Sequence, residues 1–268
     1  MLKTRIISAV VGLPLIIGIL LLGGKFFYIF VFLLSVIGLY EYYSAFSNTE
    51  YKPISWIGYL ITIFYYLLIL SNLSSFYTLS LLIFIALLLI FLDIIRRGYN
   101  ILNVAVTILG ILYVPFLFSN LIFIYNELNG KLLIWLPFLT AWFSDTGAYF
   151  IGSYFGKKKL CPLLSPNKTV EGAIGGIIVS AFFSAMTGLL FISIGYEASI
   201  IHYLLIGLIC GITSILGDLS ASAIKRFVHI KDYGNVIPGH GGILDRFDSI
   251  LFTAPTIYTY ITIIKELL

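Results

Sequence analysis

The sequence predicts an all-α polytopic membrane protein, and three observations carry that prediction. Of its 268 residues 60% are hydrophobic and only 10% charged, far from the quarter of charged residues usual in soluble domains. The mean hydropathy is +1.06. Apolar runs of about 20 residues, the length that a bilayer core of about 30 Å requires, recur along the chain and are separated by short breakers. These features exclude a soluble globular domain. The net charge of +4 is too small to mark a nucleic-acid binder, and Cys161 and Cys210 have no spacing that indicates metal ligation or a disulfide framework.

The runs divide into about nine predicted spans, near residues 6–23, 26–46, 54–71, 76–95, 102–125, 132–153, 172–194, 199–219 and 249–265. Basic residues precede the first run, but no A-x-A-like cleavage site follows, so it reads as a retained helix rather than a signal peptide. The breakers are Gly23-Gly24, Asn48 with Pro53, Ser71 to Ser75, Gly98 to Asn100 and Asn126 to Gly130. Two connections are longer, residues 154–171 and 220–248. The chain accordingly reads as two regions: residues 1–130 with about five spans, and residues 131–268 with the remaining spans and both long loops. Counting Lys and Arg orients it. With the N-terminus in the cytoplasm, that side receives 13 basic residues and the other side three, Lys25, Lys131 and Lys265. Both long loops then face the cytoplasm, as expected of a protein in a bacterial inner (plasma) membrane. No internal repeat is evident.

The first five spans hold few ionisable groups. Asp93 stands one turn before Arg96 and Arg97, where an ion pair or snorkelling accounts for it. Glu41, in LYEYY, has no basic neighbour within a turn and reads as an interfacial residue among tyrosines.

Chemistry concentrates in two constellations. In the first, AWFSDTGAYFIGSYFGKKKLCPLLSPNKTVEG (residues 141–172), Asp145, Tyr149 and Gly152 share a helix face, with Asp145 about two turns inside the membrane, where an acid usually faces a polar cavity. Lys157, Lys158 and Lys159 are equally explained as the positive-inside anchor of that helix. Lys168 lies between a Pro-Asn turn and the next span, where helix N-terminal amides can hold phosphate; capping alone would account for Ser165, Thr169 and Glu171.

The second constellation, GDLSASAIKRFVHIKDYGNVIPGHGGILDRFDS, runs from Gly217 to Ser249 and holds eight charged side chains. Asp218, Ser222 and Lys225 share a helix face, with Arg226 beside it, and Asp245 and Asp248 open the last span. Asp218, Asp245 and Asp248 at one vestibule would repel each other unless a cation joined them, and hard oxygen ligands select Mg²⁺ or a similar ion, with room for a second cation. Lys225, Arg226, Lys231 and Arg246 could then receive the oxygens of a polyphosphate. The turn from Ile237 to Gly242 would let backbone at Gly241 and Gly242 approach a ligand closely and would leave amides free for an anion. His240 could donate to phosphate or serve the turn alone. Metal with a basic clamp is the equipment of phosphoryl-type chemistry.

From Ser222 onward, SAIKRFVHIKDYGNVIPGHGGILDRFD resembles the signature of the phosphatidate cytidylyltransferases, also called CDP-diacylglycerol synthases. GDLSAS, DTGAYFIGSYFGKKKL and SPNKTVEG are similar to that family as well, so the resemblance spans about residues 141–250 and is only general before them. It implies that CTP and phosphatidic acid give CDP-diacylglycerol and pyrophosphate, with Mg²⁺, at the cytoplasmic face of the bilayer and without nucleic acid; a homodimer is compatible with it. It implies catalytic roles for Asp218, Lys225, Arg226, Asp245, Arg246 and Asp248, metal ligation by Asp218, Asp245 and Asp248, and substrate contacts from Asp145, Lys168, Ser222, Lys231, His240, Gly241 and Gly242. Two alternatives stay open. SPNKTVEG is also similar to the nucleotide loop of CTP-dependent polyprenol and phytol kinases, although GHGGILDRFD speaks against them, and intramembrane acids could equally relay ions in a polytopic transporter.

Overall fold

A computed structural model describes residues 2–71, 73, 76–97, 100–196 and 199–267. The expected breakers at Asn72, Ser74, Ser75, Gly98 and Tyr99, and the side chains of Lys3, Arg5, Arg97 and Lys265, lie outside the described residues. In chain order the helices are α1 (Leu2–Leu22), α2 (Gly24–Ala45), α3 (Ser55–Leu70), α4 (Phe76–Arg97), α5 (Ile101–Ile111), α6 (Leu117–Asn126), α7 (Gly130–Leu133), α8 (Trp135–Phe155), α9 (Val170–Ser193), α10 (Ile200–Phe227) and α11 (Leu244–Leu267). A π-helical turn (Leu112–Phe116) joins α5 to α6, so that the three form one rod through Pro115. Each predicted span falls on one of these helices or on that rod.

Six of them are long and apolar enough to cross a bilayer: α2, Tyr77–Arg96 of α4, the α5–α6 rod, α9, α10 and Leu244–Ile264 of α11. The apolar stretch of α1 and the whole of α3 are shorter, and in α8 Ser144, Asp145 and Thr146 dilute the apolar run. Large apolar side chains such as Leu21, Leu22, Phe26, Ile83 and Phe91 remain exposed on the outer faces of these helices. That surface suits hydrocarbon, and the chain is a polytopic helical membrane protein.

Two expectations about the long loops are corrected. Residues 154–171 are not simply loop: β1 (Lys159–Cys161) and β2 (Ser165–Thr169) pair antiparallel, with Lys159 opposite Thr169, a short hairpin in an otherwise helical fold. Residues 220–248 shrink at both ends, because α10 continues two turns beyond its apolar run and α11 begins at Leu244. Charged residues at a helix end continue the helix while ending the hydropathy signal, so hydropathy ended α10 too early and began α11 too late.

The carboxy-terminal helices α8, α9, α10 and α11 pack most extensively, each on its chain neighbour. In α9, Gly172, Gly175, Gly176, Ser180, Ala181 and Ser184 are buried, and small residues let membrane helices approach until backbones touch. A Cβ on Gly176 would lie 2.7 Å from the carbonyl oxygen of Ser144 in α8, and one on Gly207 of α10 would lie 2.6 Å from Ala181 Cα in α9. α11 runs through the core. Its Leu244, Ile250, Leu251, Ala254 and Ile257 are buried together with Leu39 and Tyr42 of α2 and Phe118, Leu121 and Ile122 of α6.

Candidate active site

Side chains from four elements meet beside the start of α11, with α8 contributing from its middle. From α10, Ser222 Oγ donates to Asp218 Oδ1 at 3.4 Å, which realises the predicted common face. Lys225, one turn further along, places Nζ 2.7 Å from Asp245 Oδ1 of α11, and the two side chains are only 12% and 2% exposed. From β2, Lys168 forms an ion pair with Asp218 Oδ2. From α8 comes Asp145, which is exposed. Ser249 Oγ contacts both of its carboxylate oxygens at 3.4 Å. Asp145, Asp218 and Asp248 lie within electrostatic reach of one another, with Lys168 and Lys225 as the nearby cations. The structure therefore brings together Asp145, Lys168, Asp218, Ser222, Lys225, Asp245 and Asp248, which the sequence had spread over about 100 residues.

The hairpin that delivers Lys168 is pinned from two sides. Thr169 N-caps α9 by accepting the Gly172 N–H at 3.1 Å. Glu171 accepts the main-chain N–H groups of Lys157 and Lys158 at 3.0 and 3.2 Å through Oε2. Capping thus accounts for Thr169, and Lys168 reaches Asp218 rather than lying along its own helix terminus.

The glycine turn departs from expectation. Gly239 and Gly241 adopt φ of 77° and 87°, which favours glycine, and the Ile237 N–H donates to the Gly241 carbonyl at 2.9 Å. The amides of Ile237, His240 and Gly242 are committed within the protein. The His240 N–H donates to Ile237 O, and the Gly242 N–H donates to Asp245 Oδ2 at 3.0 Å. The next two amides, of Ile243 and Leu244, donate to Glu41 Oε1 and Oε2, both at 2.9 Å. The protein's own carboxylates occupy the positive end of α11, where a ligand anion had been expected. Gly241 and Gly242 consequently contribute by closeness: a Cβ on Gly241 would lie 2.9 Å from Asp245 Oδ2, and one on Gly242 2.5 Å from Glu41 Oε2.

Glu41, expected among tyrosines at an interface, is enclosed by protein. It is 1% exposed and bonded across 202 residues of sequence to Ile243. Its only early signal was an acid in an apolar helix with no base nearby, and the amides that satisfy it carry no sequence signature. Tyr233 and Ser249 also escaped sequence reasoning. The Tyr233 N–H donates to Asp245 Oδ2 at 2.8 Å, and its hydroxyl donates to Ala221 O at 3.3 Å. Burial pushes the Tyr233 phenol far above its ordinary pKa, so it stays neutral and packs beside the Lys225 ammonium, 5.5 Å from ring centroid to Nζ.

The remaining candidates lie at the rim. Arg226 is exposed and donates to Ile230 O at 3.0 Å, closing the turn after α10. Arg246 is exposed and gives Nε to His240 O at 2.8 Å. Lys231 is exposed, and His240 Nδ1 is buried without a hydrogen-bond partner.

The donor set suits a hard cation in kind, being carboxylates and hydroxyls. Ser144 Oγ and the Tyr113 hydroxyl, close to Asp145 and Asp248, are buried without partners, as groups facing a polar ligand would be. Among the described residues no three His, Cys, Asp or Glu side chains are arranged to hold a metal by themselves. Asp245 in particular has Oδ1 on Lys225 and Oδ2 on two amides. Such a site fits Mg²⁺ in its usual manner, held by one or two carboxylates and completed by water and substrate phosphates.

Comparison with known proteins bears on the same residues. A family model described as the cytidylyltransferase family matches residues 3–264. The phosphatidate cytidylyltransferase of Staphylococcus haemolyticus is 34% identical over 258 residues, covering 94% of this chain and 96% of the relative. That of Bacillus subtilis is 33% identical over 265 residues, 96% of each, and that of Staphylococcus aureus strain COL is 32% identical over 263 residues, 94% of this chain and 96% of the relative. The match extends from the first helix through the whole of α11's paired-acid start, and on that span the chain belongs to the cytidylyltransferase family.

Proposed function

We propose that this protein is a phosphatidate cytidylyltransferase, joining CTP to phosphatidic acid to give CDP-diacylglycerol and pyrophosphate. One observation carries the reading furthest. Two acid–base pairs, Lys168–Asp218 and Lys225–Asp245, flank Asp145 and Asp248 at one end of the helix bundle, in a chain whose relatives bear that name along nearly their full length.

A phosphate oxygen of phosphatidic acid, held at the interface by its acyl chains, forms a bond to the α-phosphorus of CTP. The bond from that phosphorus to the oxygen bridging to the β-phosphate breaks, and pyrophosphate leaves with the electron pair. The attacking oxygen is already anionic, so no side chain need remove a proton. The protein's task is positioning and charge neutralisation. Lys168 and Lys225 each retain N–H groups beyond the one given to a carboxylate, and these meet phosphate oxygens; Arg226, Lys231 and Arg246 at the rim gather the triphosphate. Asp218 and Asp248 would hold Mg²⁺, which would supply neutralisation of phosphate charge. Asp245, expected as a third ligand, would join them only by exchanging Lys225 or an amide, and in its present place it aims Lys225.

The 13-to-3 distribution of basic residues supports nine spans, a cytoplasmic N-terminus and a site opening to the cytoplasm of a bacterial plasma membrane. The test is direct. Purified protein is incubated with labelled CTP, phosphatidic acid and Mg²⁺, with and without EDTA. A lipid-soluble cytidine product and equimolar pyrophosphate, both lost with EDTA, are expected. Absence of both products in the presence of Mg²⁺ would overturn the reading.

A further inference from the structure

Glu41 is remote in sequence from every residue of the site and takes no part in the mechanism above, yet it is 1% exposed and its carboxylate is bonded at both oxygens. Both donors are main-chain N–H groups at the start of α11, those of Ile243 just before it and of Leu244, its first residue, at 2.9 Å. A buried carboxylate requires a compensating partner. Here the partner is the positive end of a 24-residue helix, which makes the pairing directional: the carboxylate is satisfied only while α11 begins at this place and in this orientation.

The surrounding backbone is shaped to that carboxylate. A Cβ on Gly242 would lie 2.5 Å from Oε2, and one on Gly234 2.9 Å from Oε1, so both strands of the glycine-rich loop close over it. One turn earlier on α2, a Cβ on Gly38 would lie 3.1 Å from Leu244 Cδ2. α2 therefore grips the start of α11 twice, by close packing at Gly38 and by charge at Glu41. The residues it seats follow at once: Asp245 is next after Leu244, and Asp248 lies one turn further on.

We propose that Glu41 is a positioning residue for the cytidylyl transfer: by holding the amides of Ile243 and Leu244, it sets the height and rotation of the first turn of α11, and with them the placement of Asp245 and Asp248 against Asp218 and Lys225 of α10. The inference rests on the function proposed above. Small displacements of reacting groups by distant residues can cost on the order of 100-fold in rate, whereas CTP contacts supplied by Lys168, Arg226 and Lys231, none of them on α11, stay in place.

The test measures kcat and the KM for CTP of detergent-purified Glu41→Ala, Glu41→Gln, Gly242→Ala and the Glu41→Ala/Gly242→Ala double variant. Glu41→Ala is expected to lower kcat about 100-fold with KM within about twofold, and Glu41→Gln, which keeps one acceptor oxygen, to recover about tenfold of that loss. Gly242→Ala pushes against the carboxylate and lowers kcat, but in the Glu41→Ala background it costs no more than about a further twofold, because residues sharing one contact do not act additively. A Glu41→Ala kcat within twofold of the wild type, a loss confined to KM, or losses that multiply in the double variant would each overturn the proposal. A Glu41→Ala variant that is less stable yet turns over normally once purified would overturn it too. If Glu41→Ala does not fold, the nearly isosteric Glu41→Gln decides, and an unchanged kcat there refutes it. A wild-type protein that yields no CDP-diacylglycerol would instead refute the proposed reaction.

Discussion

Replacing Lys225 by Met should destabilise the protein more than any exposed charge change, and the reason lies in what it leaves behind. Lys225 and Asp245 are 12% and 2% exposed and 2.7 Å apart, so the carboxylate that remains is buried without its cation. Removing one partner of a buried pair costs roughly 3–5 kcal/mol. The lower end applies, since Asp245 keeps the N–H groups of Tyr233 and Gly242 at 2.8 and 3.0 Å. A loss of about 3 kcal/mol corresponds to a fall of roughly 6–12 °C in the unfolding midpoint of a chain of this size. Asp245→Asn alone should cost less, because the lysine stem is long enough to carry its ammonium to water. The double variant Lys225→Met/Asp245→Asn removes the stranded charge and should recover at least about 1.5 kcal/mol of the Lys225→Met loss. Thermal scans of the four proteins in one detergent at one scan rate read this out. A Lys225→Met midpoint within about 1 °C of the wild type, or strictly additive losses in the double variant, would refute the assignment of the pair as a buried, mutually dependent unit.

Lys168→Met should separate binding from stability. The Lys168–Asp218 side chains are 26% and 29% exposed, so the stability cost is under about 1 kcal/mol, while a lost charged contact to CTP should reduce turnover by about 10- to 100-fold in the radiolabelled assay. Gly217→Ala places a Cβ 2.5 Å from the Asp248 carbonyl oxygen. It should force α10 and α11 apart at the acids and lower kcat by at least about tenfold, with the protein still recoverable from the membrane. Glu171→Gln weakens the acceptor that holds the amides of Lys157 and Lys158. Hydrogen exchange at those two amides should accelerate about tenfold, charged acceptors being roughly twice as strong as neutral ones, with no change in α10.

The helices were legible because hydropathy reports burial in hydrocarbon directly, and every apolar run became a helix. Their ends were less so. α10 runs on through Ser222 and Lys225 to Phe227, where polar residues continue the helix into the headgroup region and the hydropathy signal has already stopped. The hairpin was invisible, since a two-stranded pairing of three and five residues rests on Glu171 and Thr169 contacts rather than on alternation. At the site, the i, i+4, i+7 spacing correctly placed Asp218 and Ser222 on one face. Spacing along a single helix says nothing about which acid takes which base across helices. Lys168 with Asp218 and Lys225 with Asp245 had to be seen, as did the claim of Glu41 on amides 202 and 203 residues away.

The pairings explain why so many charges can sit at the edge of a bilayer and still leave work to do. Asp145, Asp218, Asp245 and Asp248 face Lys168 and Lys225, a formal excess of two acids over bases among these six side chains. Each lysine is already committed to one acid, and Asp145 and Asp248 have no ion-pair partner of their own among the described residues. A highly negative nucleotide triphosphate entering that space meets net repulsion that the exposed Arg226, Lys231 and Arg246 at the rim are too hydrated to offset fully. On the proposed function, therefore, a divalent cation must enter with CTP or before it, and binding measured without turnover should show it: CTP affinity in the absence of phosphatidic acid should rise at least about tenfold when Mg²⁺ replaces EDTA, one neutralised pair of charges being worth more than about 1.4 kcal/mol at these distances. In Asp248→Asn, where the excess is smaller, that dependence should weaken. A CTP affinity indifferent to Mg²⁺ in the wild type would mean that the lysines leave their carboxylates on binding, and the acid–base pairs would then be a resting arrangement that the nucleotide takes apart.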